Sequence, residues 1–244
     1  MSEATNLGIN YNHEWARKPW AIRVRSVLLE LVMKPLNRAF APATVKGLNN
    51  LAGLDAPVIF VANHSSHADT STILTRLPSR FARHTVVAAA ADYFFDTKRK
   101  ADFWALTLNA IPVERTKIDR RSAAVAQELL EKGWNLVIFP EGGRTPDGNL
   151  QPFKPGAAFL AIRANVPVVP IYLDGTREIM AKSVPGQPKK RRIRRHDVTV
   201  SFGAPLTAAE GENARRFAPR IEAAVIALSD GKATPPDHTH HHEE

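Results

Sequence analysis

His64 and Asp69 lie five residues apart in the run Val58-Ile-Phe-Val-Ala-Asn-His64-Ser-Ser-His67-Ala-Asp69, where an apolar stretch gives way to polar residues. The apolar part reads as a strand and the remainder as the entry to a helix, with Ser65 or Ser66 as its N-cap. His64 then stands at the strand end and Asp69 in the first helical turn. From there the carboxylate can reach one imidazole nitrogen and leave the other as a proton acceptor. A carboxylate so placed fixes the tautomer and stabilises the imidazolium, which is what a general base needs. Two other chemistries compete for these residues. His64, His67 and Asp69 are of types that bind zinc, although no further ligand cluster stands out. A serine hydrolase is also open in principle, but G-x-S-x-G is absent and neither Ser65 nor Ser66 has the glycine frame of a strand elbow. The chain contains no cysteine, which excludes a thiol nucleophile, thiolate metal sites and disulfides.

A second run, Phe139-Pro-Glu141-Gly142-Gly143-Arg144-Thr145, follows another apolar stretch. Adjacent glycines allow close backbone approach to a ligand, and Arg144 offers a fork of donors suited to phosphate or carboxylate. The bland alternative is a glycine-rich turn with one solvated arginine. A nucleotide P-loop is excluded, since G-x-x-x-x-G-K-[ST] does not occur. Ile111-Pro-Val-Glu-Arg115 likewise ends a short apolar stretch with an arginine. Arg115 and Arg144 would form a two-arginine phosphate cradle if the sheet brings those strand ends together. Val166-Pro-Val-Val-Pro170-Ile reads as a buried strand, scaffold or apolar wall.

The elements that must position these residues alternate along the chain. Strands are expected at Thr44–Gly47, Pro57–Ala62, Thr85–Ala89, Ile111–Val113, Asn135–Phe139, Val168–Leu173 and Asp197–Phe202, and helices at Ser66–Leu77, Lys98–Asn109, Asp119–Lys132, Pro155–Ala164 and Glu212–Ser229. This order predicts an α/β fold, a largely parallel central sheet flanked by helices, with functional loops at the carboxyl ends of its strands. Residues 1–42 form an N-terminal amphipathic segment, 43–230 the main domain, and 231–244 a polar tail expected to be disordered. On the Trp20–Phe40 helix, Val24, Leu28, Leu29, Leu31, Val32, Met33, Leu36 and Phe40 share one broad face, opposite Arg23, Glu30, Lys34 and Arg38. Such a helix packs on its own protein or lies in a membrane interface. The periodicity does not choose between them.

The net charge is +9 over 244 residues, and Lys189, Lys190, Arg191, Arg192, Arg194 and Arg195 concentrate six positive charges within seven positions. A local anion-binding patch, such as an anionic membrane surface would engage, fits this better than a nucleic-acid footprint. The longest stretch free of charged residues, Ala56–Ala68, has thirteen residues, short of the roughly 20 that a spanning helix needs. No secretory signal pattern opens the chain. A cytoplasmic protein, peripheral at the inner face of the cell membrane, is the expectation.

In order and spacing, Asn63-His64 through Asp69, Ile111 through Arg115, Phe139 through Arg144 and Val168-Val-Pro170-Ile resemble the four motif blocks of the glycerolipid acyltransferases. The resemblance spans about Val45 to Phe202. It implies that His64 is the general base, that Asp69 orients it, and that Arg115, Glu141, Gly142 and Arg144 shape the acceptor's phosphate site. Gly143, beside them, stands where the family usually has threonine. Backbone N–H groups near Gly142 and Gly143 are candidate oxyanion donors. The implied reaction moves a fatty acyl group from acyl-coenzyme A or acyl carrier protein to the hydroxyl of a 1-acylglycerol-3-phosphate, giving phosphatidic acid, without metal or bound cofactor. Other readings are the same transfer to another lysophospholipid, a hydrolase using His64, and a non-catalytic protein that binds anionic membranes.

Overall fold

The computed structural model describes residues 7–55, 57–114, 120–145, 148–180 and 193–236. Seven strands, β1 (Ala43–Lys46), β2 (Ile59–Ala62), β3 (Thr85–Ala90), β4 (Ala110–Val113), β5 (Asn135–Ile138), β6 (Val168–Asp174) and β7 (Val198–Phe202), form one sheet in the order β1-β7-β6-β2-β5-β3-β4. Every neighbouring pair is parallel except β6 and β7. The expected α/β fold with a largely parallel sheet is therefore what the chain adopts.

Burial on both faces explains why the central strands are apolar without alternation. Phe60 and Ala62 of β2 point into a core with Ile73, Leu74, Leu77 and Phe81, while Ile59 and Val61 point into another with Leu129, Leu130, Leu160 and Phe217. The first core is covered by α3 (Ala68–Arg76) and the N-terminal helices. The second is covered by α7 (Arg120–Glu131), α8 (Gly156–Ala164) and α10 (Ala214–Ala227). Because β2 lies between β6 and β5, its C-terminal end, carrying His64, emerges mid-sheet between the ends of those two strands. Short helices α4 (Ser79–Ala82), α5 (Ala91–Phe94) and α9 (Thr176–Ile179) and the longer α6 (Lys98–Leu108) complete the layers.

The N-terminal helix departs from the uniform one expected from periodicity. It runs as α1 (Pro19–Leu28), one π-turn (Leu29–Met33) and α2 (Lys34–Phe40). The cause is Pro35, which has no N–H and would crowd the carbonyl of Leu31 in a regular helix; the wider turn, closed by Lys34 N–H donating to Leu29 O, relieves this. Its broad apolar face also divides. Leu29 is buried and Leu28 and Met33 are half-buried, but Val24, Leu31, Val32, Leu36 and Phe40 are exposed, as are Trp20 and Val27 on the same helix. Polar residues face inward instead. Arg25, 6% exposed, donates to the carbonyls of Ala16 at 3.0 Å and Leu106 at 3.3 Å, and Asn37 donates to Thr72 Oγ1 at 3.2 Å.

The start of the C-terminal tail is held: Lys232 pairs with Asp174, and Ala233 N–H donates to Ser229 Oγ at 3.1 Å. Residues 237–244 lie outside the described residues.

Burial pushes the Arg25 guanidinium down to about 10, so it stays charged at neutral pH and its carbonyl bonds are charge-assisted. Arg25→Met should therefore lower unfolding stability by about 2–4 kcal/mol in urea titrations, because the N-terminal segment and α6 lose a shared buried donor. A loss under about 0.5 kcal/mol, the range of ordinary surface changes, would show that the link is not structural.

Candidate active site

The site begins where β2 ends. Asp69, fully buried in the first turn of α3, accepts through Oδ2 from His64 Nδ1 and from the backbone N–H groups of Ser65 and Ser66, each at 2.8 Å. The histidine and aspartate thus meet as their spacing suggested. The helix entry differs in detail. Its N-cap is His67, without a side-chain cap, while Ser66 Oγ accepts from Ala68 N–H at 3.1 Å and donates to Met180 O at 3.0 Å. The Ser66 hydroxyl thus takes the first helical amide from one position before the N-cap, while the Asp69 carboxylate takes up the two serine amides. With Nδ1–H donated to Asp69, Nε2 carries the lone pair of the neutral ring. The imidazole stacks on Phe139 at a centroid distance of 4.1 Å and keeps 18% of its side-chain surface exposed, enough for a substrate to reach it.

The loop after β5 closes against this corner. Glu141, 8% exposed, accepts from His64 N–H at 2.6 Å through Oε1 and from Gln151 N–H at 2.9 Å through Oε2. Both oxygens are committed to the backbone, so in this arrangement Glu141 braces the two loops rather than facing an acceptor. Thr145 N–H donates to His64 O at 3.0 Å, and Lys154 N–H to Pro140 O at 3.0 Å. Gly142 has φ +75°, the left-handed region that favours glycine. Its N–H donates to Phe139 O at 3.2 Å, so this amide is engaged within the turn and is not an open oxyanion donor as expected. Gly143 is half-buried beside it.

Arg144 is half-buried on the same loop and close enough to His67 for its charge to act there. Burial, then the charge of Arg144, push His67 down to about 4, leaving it neutral at physiological pH. His64, Asp69, Glu141, Gly142, Gly143 and Arg144 are therefore gathered at one corner. Arg115 and residues 189–192 of the basic run lie outside the described residues. Among the described residues, no group of three or more His, Asp or Glu side chains is placed to hold a metal.

Sequence reasoning missed several participants. Asn63 ties the end of β2 to β6, donating to Leu173 O at 2.9 Å and accepting from Leu173 N–H at 2.7 Å. Ser65 Oγ lies 3.1 Å from Thr176 Oγ1. Lys154 brings its ammonium against Gly142, where an ideal Cβ would stand 2.8 Å from Nζ. Asn63 immediately precedes His64, and that adjacency was the available signal.

The acyltransferase family model matches residues 42–174, from the start of the sheet through β6 and across both halves of this site. The chain belongs to the acyltransferase family. Its similar proteins include the chloroplastic 1-acyl-sn-glycerol-3-phosphate acyltransferase BAT2 of Brassica napus, 36% identical over 147 residues, covering 58% of this chain and 40% of that protein. Another is 1-acyl-sn-glycerol-3-phosphate acyltransferase alpha of Ovis aries, 29% identical over 176 residues, covering 70% of this chain and 58% of that protein. The acyltransferase domain thus spans about two fifths to three fifths of the length of these relatives. The crystal structure of the 1-acyl-sn-glycerophosphate (LPA) acyltransferase PlsC from Thermotoga maritima shares the fold, with a TM-score of 0.63 at 23% identity over 92% of this chain and 85% of that one.

Burial, the largest influence, raises Glu141 to about 7 against the opposing effect of its two amide donors. The raised value means that the folded state binds more protons than the unfolded one from about pH 4.5 to about 7. The Glu141 contribution is full below that window and declines as pH rises through it. Glu141→Gln removes the titration and turns an amide N–H₂ toward a backbone N–H. The stability difference between wild type and this variant should fall across that interval, and turnover should drop at least about tenfold, the cost of one misplaced bond. A pH-independent difference with unchanged turnover would show that the brace is dispensable.

Proposed function

We propose that this domain transfers a fatty acyl group from an acyl thioester to the free hydroxyl of 1-acylglycerol-3-phosphate, giving phosphatidic acid. The observation that carries the reading is the 2.8 Å His64–Asp69 pair, with its imidazole open to substrate in a domain of the acyltransferase family. The relatives' names supply the acceptor, and Arg144 with Lys154 supplies positive charge suited to its phosphate. His64 Nε2 takes the hydroxyl proton as the oxygen attacks the thioester carbonyl. The tetrahedral intermediate expels the thiolate, which takes the proton back from the imidazolium. One ester and one thiol result, and no metal or bound cofactor enters this scheme. The donor is acyl-coenzyme A or acyl carrier protein, whose shared thioester chemistry the scheme uses equally.

The same reading sets the domain on an anionic bilayer, at the inner face of the cell membrane. No helix among the described residues is long and apolar enough to cross a membrane. The outward apolar stripe from Trp20 to Phe40 suits interfacial insertion, and at its far end His196 N–H donates to Phe40 O, next to exposed Ile193, Arg194 and Arg195.

His64→Ala should lower turnover at least about 100-fold, and Asp69→Asn should also impair it, with product identified by mass spectrometry from mixed thioesters and lysolipids. A folded His64→Ala protein with near-normal turnover excludes the base. For the acceptor, Arg144→Ala should reduce kcat/KM strongly with a phosphate-bearing lysolipid and little with an analogue lacking phosphate; equal losses on both would remove the arginine from phosphate recognition. Vesicle flotation addresses the membrane. Binding should weaken with salt, and replacing Arg194 and Arg195 with glutamine should weaken it about tenfold to thirtyfold, at about 1 kcal/mol per charge. Binding indifferent to both changes would remove the electrostatic attachment.

A further inference from the structure

Phe103 on α6 is 54% exposed and Tyr93 on α5 is 49% exposed, although both adjoin a packed aromatic cluster. The rings form a continuous series: Tyr93 meets Phe94 at 4.9 Å, Phe94 meets Trp104 at 5.3 Å, and Trp104 meets Phe103 at 4.9 Å. At one end Tyr93 stacks on His67 at 5.7 Å, three positions from His64. On another flank Trp15 packs into the same cluster and stacks on Trp20 at 5.7 Å and 10°. Trp20, 51% exposed, begins the outward stripe of the N-terminal helix. An apolar series therefore leads from that stripe, through α6 and α5, to His67, near His64.

We propose that the outward face of α5 and α6, centred on Phe103 and Tyr93, is a second bilayer-contacting surface, which brings the His64 corner close to the lipid. This rests on the bilayer reading above. Arg25 bonds α1 to the C-terminal carbonyls of α6, so the two surfaces are held together as one body. Exposed Lys98, Arg99 and Lys100 border the face together with Asp92, Asp96 and Asp102, two of the cations being paired with Asp102 and Asp96, so that the face carries no net charge. An aromatic surface with little net charge, continuous with an amphipathic helix, matches the headgroup region, where amphipathic rings settle. For a lysolipid acceptor the consequence is direct. Its glycerol reaches His64 beside Tyr93 and His67 while its acyl chain stays in apolar surroundings.

Because the chain has no cysteine, Phe103→Cys, Leu31→Cys and Glu210→Cys each create a single attachment point for a polarity-sensitive fluorophore. With mixed phosphatidylglycerol and phosphatidylcholine vesicles containing spin-labelled lipid, the labels at 103 and 31 should be quenched, and the label at the exposed loop position 210 should stay aqueous. Phe103→Ser should weaken vesicle binding about tenfold, the effect of one lost buried aromatic, and leave turnover on a water-soluble short-chain acceptor unchanged. Quenching at 31 without quenching at 103, with Phe103→Ser binding as wild type, overturns this surface and leaves the helix reading intact. Absence of quenching at both positions overturns the two together.

Discussion

The site depends on one buried oxygen, Asp69 Oδ2. A carboxylate removed from water is unfavourable by several kcal/mol unless donors surround its charge. Here three donors converge on Oδ2, while Oδ1 is buried with no partner among the described residues, so all the compensation falls on one atom. Two of the donors are successive backbone amides, which can both point at one oxygen only when the chain turns sharply between β2 and α3. The third is the imidazole. Charge stabilisation, loop conformation and histidine orientation are therefore one event, and removing the carboxylate disturbs all three.

Glu141 extends that constraint across the sheet. His64 N–H is held by Glu141 and His64 O by Thr145 N–H, so the backbone of the histidine is fixed from the loop after β5 while its ring is fixed from α3. Asn63 adds a third tie, to β6. The parallel order β6-β2-β5 makes this possible, since it brings three strand ends with independent loops to one corner. Positional freedom at the imidazole is removed by backbone bonds instead of by contact with substrate, which preorganises the group proposed above as the base.

Legibility in the sequence followed the range of the interaction. β2, β5 and β6 were visible as apolar runs because burial on both faces imposes a local compositional signal, and the His64–Asp69 pair was visible because both partners lie within one turn of chain. Glu141 was found as a motif residue, but its partners are the amides of residues 64 and 151, and amides carry no signature in a sequence. The engagement of the Gly142 N–H by Phe139 O was hidden for the same reason. The N-terminal helix shows another limit. Periodicity found an apolar face and a polar face, but the direction of each was settled by Arg25 and Asn37, whose acceptors lie on α6 and α3.

That inversion changes the energetic role of the N-terminal segment. A helix on a globular protein ordinarily buries its apolar stripe; this one places Trp20, Val27 and Leu31 outward, where each gains little from folding, and anchors itself through a buried guanidinium and an amide. Polar anchors suit this task because they fix orientation: Arg25 must meet carbonyls of Ala16 and Leu106 at hydrogen-bond distance, so the helix cannot roll to hide its apolar face without breaking both bonds. The exposed stripe is thus maintained by specific bonds from within. A surface held open in this way has its apolar free energy in reserve for an apolar phase, and the aromatic series through Trp104 to Tyr93 links it to the residues around His64. On the bilayer reading proposed above, rigid packing between the stripe and the site links attachment to turnover with no moving part required.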